Sequence, residues 1–110
     1  PDAEGDTIYN GAVDNGTGLA ALLEMARAYG KHDKPDRSVV FLAVTAEEKG
    51  LLGSEYYSAN PLYPLGTTVA VINTDALSPE GMARNFTISG SAKLDLLDQL
   101  ITTAKKWDLT

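Results

Sequence analysis

The run Val39-Val40-Phe41-Leu42-Ala43-Val44 is the most apolar in the chain, and Glu47-Glu48 stands just behind it. A short run of this kind, rich in β-branched residues, predicts a buried strand over 39–45. Two adjacent carboxylates at its exit repel one another and call for a positive partner, for which a metal ion is the natural choice. Gly50 and Gly53 then allow a sharp turn and a close approach to a ligand, and Ser54 to Ser58 open a helix that runs to about Asn60.

Two further stretches set a carboxylate at an element boundary. Asp14-Asn15-Gly16-Thr17-Gly18 precedes Leu19, Leu22, Leu23, Ala26 and Tyr29, which recur at helical spacing up to a stop at Gly30. Asn73-Thr74-Asp75 ends a second strand-like run, Thr68 to Thr74. Ligands of open α/β sheets bind beyond the carboxyl ends of the strands, so Glu47, Glu48 and Asp75 are expected on one edge, with Asp14 joining from the loop before its helix. Each motif also has a structural reading. Glu47-Glu48 suits the positive end of a helix dipole, Asp14-Asn15-Gly16 suits a turn or cap, and Asp75 suits a turn.

The remaining chain fills out an α/β pattern. Residues 1–13 read as a loop, Lys31 to Arg37 as a charged turn, Asn60 to Pro64 as a loop, and Asn85 to Ser89 as a further strand. Leu94, Leu97, Ile101 and Ala104 form the apolar stripe of a final helix, with Trp107 packing near its end. Strand, helix, strand at this spacing is a parallel crossover unit, so the expected fold is a three-layer α/β sandwich around a mostly parallel sheet. Its 110 residues, 44% hydrophobic, suit one domain. Three strands are few for such a sheet, and the expectation is an incomplete domain.

Composition narrows the partners. Fifteen acidic against nine basic residues give a net charge of -6, which argues against nucleic acid and anionic membranes. No run has the length of a membrane span. The absence of cysteine removes disulfides, thiolate ligands and a Cys nucleophile from these residues. Asn15-Gly16-Thr17 and Asn85-Phe86-Thr87 match the N-glycosylation acceptor, a pattern short enough to arise by chance.

Taken in order, Gly11-Ala12-Val13-Asp14-Asn15-Gly16-Thr17-Gly18, Glu47-Glu48-Lys49-Gly50-Leu51-Leu52-Gly53-Ser54 and Asn73-Thr74-Asp75 resemble the co-catalytic di-zinc aminopeptidase family. Glutamate carboxypeptidases, the transferrin receptor ectodomain and glutaminyl cyclases are among its relatives. The resemblance implies two zinc ions, with Asp14 as the carboxylate bridging them, Glu48 and Asp75 as terminal ligands, and Glu47 as general base toward a peptide substrate. It also implies a cis peptide bond between Asp14 and Asn15, and, from the family's frequent export, a periplasmic or secreted protein.

One feature departs from the family pattern. Each zinc there also takes a histidine, and the single histidine here, His32, lies in the charged turn between helix and strand, away from every motif. The chain is therefore expected to be an internal piece of a longer peptidase domain, with little hydrolysis on its own. The resemblance leaves two alternatives beside an aminopeptidase: a non-catalytic relative acting as a binding domain, and a carboxypeptidase or glutaminyl cyclase with the same metal ligands. Oligomeric state is not legible.

Overall fold

The computed structural model describes Gly5 and residues 7–89 and 95–109. The chain divides into two compact units, Pro1–Leu77 and Ser78–Thr110. The first holds helices α1 (Gly16–Tyr29) and α2 (Leu52–Ala59), with single 3₁₀ turns at Glu47–Lys49 and Leu65–Thr67; the second holds helix α3 (Leu96–Lys106).

Helix α1 starts where its sequence supplies a cap. The Asn15 side chain accepts a hydrogen bond from the Gly18 amide at 3.0 Å, and the Thr17 hydroxyl donates to the Val13 carbonyl at 2.7 Å. The first satisfies one of the backbone amides left over at a helix start. Ala21, Leu22, Ala26 and Ala28 make the half-buried face. On the wet side, the Arg27 guanidinium forks onto the Glu24 carboxylate one turn back, with Nε to Oε2 at 2.7 Å. That cation holds the Glu24 carboxyl below its ordinary value. Arg27 also suits the negative end of the helix dipole. At the C-terminal end the Tyr29 ring meets Phe41 edge to face, centroids 5.8 Å apart, which joins the helix to the apolar run.

The parallel sheet expected from the sequence is not formed among the described residues. Among the described residues no strand forms over 39–45, 68–74 or 85–89, so the α/β sandwich is corrected to three helices joined by irregular segments. The reason lies in what a strand requires from outside itself. A parallel strand needs at least one neighbour to ladder with and helices over both faces. Among the described residues of the first unit, a 14-residue and an 8-residue helix are the helices available as cover. Val40 stays 49% exposed, Val69 53% and Val71 84%. Among the described residues only Gly18 and Ala104 are buried.

What survives of the expected arrangement is the approach of each apolar segment's end to a helix start. Gly18 lies so close to the end of the 68–74 segment that an added Cβ would sit 2.6 Å from the Thr74 carbonyl. At Gly53, in the first turn of α2, a Cβ would sit 2.4 Å from the Thr45 carbonyl and 2.6 Å from the Thr45 nitrogen. Glycine at both positions is thus a packing requirement. At Gly53 the close approach is to the chain's own backbone.

In the second unit, α3 carries the expected stripe at Leu97, Ile101 and Ala104, of which Ala104 alone is buried. Leu94 lies outside the described residues, as do residues 1–4 and 6 of the opening loop. Trp107, expected to pack, is 76% exposed at the end of α3, where its amide closes onto the Ala104 carbonyl at 2.9 Å.

Candidate metal centre

The first motif is shaped by short-range hydrogen bonds. The Gly16 amide donates to the Gly11 carbonyl at 2.7 Å, closing a loop around Asp14, and the Asp14–Asn15 peptide bond is cis. Asp14 itself is exposed.

The second motif is a loop closed at its base. The amides of Leu52 and Gly53 donate to the carbonyls of Ala46 and Thr45 at 3.2 and 3.0 Å. Between these ties, Glu47–Lys49 makes one 3₁₀ turn, with Ala46 at φ 57° before it and Leu51 at φ 62° after it. Left-handed backbone at residues carrying a Cβ is uncommon and persists only where the surroundings enforce it. The first-turn acid of α2 is Glu55, so Glu47 and Glu48 are not dipole partners of that helix. Both glutamates project from the turn into solvent.

The third motif is held by the first. Asn15 Nδ2 donates to the Thr74 carbonyl at 3.0 Å, and Asn15 Oδ1 accepts from the Ala76 amide at 3.3 Å, in addition to its bond from Gly18. One carboxamide therefore grips the residues on either side of Asp75 while its own neighbour is Asp14. Ala76 sits at φ 45°, a second left-handed alanine directly beside a candidate ligand. Sequence reading gave Asn15 only a turn or cap role and missed this grip, because its partners there lie 59 and 61 residues away.

The structure thus links the Asp14 and Asp75 segments and leaves the Glu48 turn tied separately to Thr45 and Ala46. Among the described residues no three His, Asp or Glu side chains converge closely enough to hold a metal ion. As donors, Asp14, Glu48 and Asp75 nevertheless suit a divalent cation: all are exposed, and among the described residues none is taken up by a hydrogen bond or an ion pair. They supply carboxylate oxygens only. Zinc centres commonly add nitrogen, and His32 is exposed just beyond the far end of α1, a helix about 21 Å long. The residues fit the carboxylate share of a zinc centre. An open groove lined by Leu42, Val44, Thr45, Gly53, Tyr56 and Tyr57 runs between the apolar segment and α2 and includes none of the four carboxylates.

Comparison with known proteins agrees with the order of the motifs. The chain is 39% identical over 74 residues to a probable zinc metalloprotease of Pyrenophora tritici-repentis, a match covering 67% of the chain and 16% of that relative. It is 42% identical over 76 residues to the mouse (Mus musculus) aminopeptidase NAALADL1, covering 64% of the chain and 10% of the relative. It is 51% identical over 47 residues to aminopeptidase YwaD of Bacillus subtilis, covering 43% of the chain and 10% of the relative. The chain thus spans about a sixth or less of the length of these relatives. No solved structure matches. The sequence pattern of Peptidase family M28 matches residues 2–110, nearly the whole chain, and the protein belongs to that family.

Proposed function

We propose that the whole protein is a zinc-dependent aminopeptidase that removes N-terminal residues from peptides. The observation that carries this reading is the Asn15 grip, which ties Asp14 to the residues flanking Asp75 across 61 residues of sequence and leaves both carboxylates unengaged. Membership of Peptidase family M28 and the aminopeptidase names of two relatives support it. Asp14, Glu48 and Asp75 are the proposed zinc ligands, and imidazole donors are required in addition from outside these 110 residues. When bound, zinc supplies Lewis-acid polarisation of the scissile carbonyl and acidification of the attacking water.

Glu47 does the proton work. Its carboxylate stands beside the ligand Glu48 on a turn closed at its base, without a partner of its own among the described residues, and is free to take a proton from water and return it to the leaving amine. The acidic surface, with net charge -6, favours the approach of a peptide's positively charged amino terminus. The test is Glu47→Gln in the whole protein. Loss of a general base lowers kcat by roughly 10²–10⁴-fold, with zinc content and folding unchanged; full retained activity would remove Glu47 from the mechanism.

A further inference from the structure

We propose that Asn15 is the positioning residue of this centre: its carboxamide sets the place of Asp75 relative to Asp14. The inference rests on the aminopeptidase reading for its catalytic consequence, but its structural content stands on the hydrogen bonds alone. Neither Asp14 nor Asp75 is oriented by a side-chain partner of its own among the described residues. Their relative placement comes through backbone, and Asn15 is the side chain that links the two backbones.

The three bonds have a strict polarity. Oδ1 faces two amides, those of Gly18 and Ala76, while Nδ2 faces the Thr74 carbonyl. An aspartate at position 15 would keep both acceptor bonds and set an anionic oxygen against the Thr74 carbonyl. A leucine would lose all three. Asn15 is half-buried and its bonds to Gly18 and Thr74 are part-buried, so water cannot freely replace those two. Gly18 enforces the arrangement from the other side, since its Cα leaves no room for a methyl between Asn15 Oδ1 and the Thr74 carbonyl. The Ala76 amide, held by Oδ1, belongs to a left-handed residue that would otherwise relax toward commoner backbone and carry Asp75 with it. A ligand set displaced by about an ångström loses affinity and rate, because metal centres depend on the shell that orients their ligands.

Asn15→Asp, Asn15→Leu and Thr17→Val are compared in the whole protein. Thr17→Val is the control, because it removes a helix-start bond of similar length that does not reach residues 74–76. Readouts are kcat and KM, zinc affinity by competition with a chromogenic chelator, and amide hydrogen exchange at residues 18 and 74–76. Both Asn15 variants are expected to lose at least tenfold in kcat and tenfold in zinc affinity with KM changed less than threefold, and to speed exchange at Ala76. Thr17→Val is expected to keep kcat and zinc affinity at whatever stability it loses. Asn15→Asp keeps two of the bonds and serves if Asn15→Leu fails to fold. Wild-type zinc affinity and Ala76 exchange in Asn15→Asp would overturn the proposal. If the parent protein cleaves no peptide, the aminopeptidase reading fails, and exchange and zinc affinity still decide the role of Asn15.

Discussion

Gly18→Ala isolates the contact on which the two linked segments depend. In an exposed helix the change would stabilise by about 1 kcal/mol, because alanine has the better helix propensity. Here the new methyl would lie 2.1 Å from Asn15 Oδ1, 2.6 Å from the Thr74 carbonyl and 2.8 Å from Asn15 Cγ. All three distances are too short for any carbon, and the carbonyl is backbone that cannot swing away, so the Asn15 carboxamide must leave. Its departure removes three hydrogen bonds, two part-buried and one exposed, worth about 1 kcal/mol each before water makes up some of the loss. Residual overpacking against Thr74 adds about 1–3 kcal/mol. Set against the propensity gain, the net expectation is a loss of about 2–4 kcal/mol. Urea denaturation of the whole protein measures this, with Gly66→Ala as reference, since a Cβ at Gly66 meets nothing within 4 Å. If Gly18→Ala proves as stable as Gly66→Ala, the close approach of α1 to Thr74 is not present in solution.

Three other outcomes follow from the same structure. Gly53→Ala, whose methyl would strike the Thr45 backbone, is expected to cost about 1–3 kcal/mol in urea denaturation and to lower activity by displacing the Glu47–Glu48 turn. Ala76→Gly removes the cost of a left-handed alanine and should change stability favourably by up to about 1 kcal/mol, read as a higher melting temperature. For Glu24, the Arg27 guanidinium lowers the carboxyl's pKa in the folded protein. The pair's contribution is therefore present above the unfolded pKa and is lost as pH falls through the folded one. Arg27→Ala should let the Glu24 pKa rise toward its ordinary value, as followed by carboxyl-carbon NMR, and its effect on stability should vanish in acid.

The helices were legible because their causes are local. The stripe from Leu19 to Tyr29 with Gly30 behind it sits in α1, and the helix read as opening at Ser54 to Ser58 and running to about Asn60 is observed at Leu52–Ala59 with Asn60 as its C-terminal cap. Asn15, read as a turn or cap, does cap α1. The sheet was misread because β-branched composition reports only a segment's fitness to pair, and pairing depends on partners and cover distant in sequence. Val39 to Thr45 has the composition of a central strand and, among the described residues, no ladder to join. The carboxylates themselves were visible as residues at element ends. Their framework was not, because the Asn15 bonds to Thr74 and Ala76 and the left-handed alanines at 46 and 76 are long-range or conformational features that no local pattern encodes.

The central claim is that these carboxylates hold zinc in the whole protein, and calorimetric titration of zinc into the metal-free whole protein tests it directly. Wild type is expected to bind two ions tightly, with Asp14→Ala losing both, since Asp14 is the proposed bridge, and with Glu48→Ala and Asp75→Ala each weakening one. Undiminished binding of two zinc ions by Asp14→Ala, or no zinc binding by wild type, would contradict it.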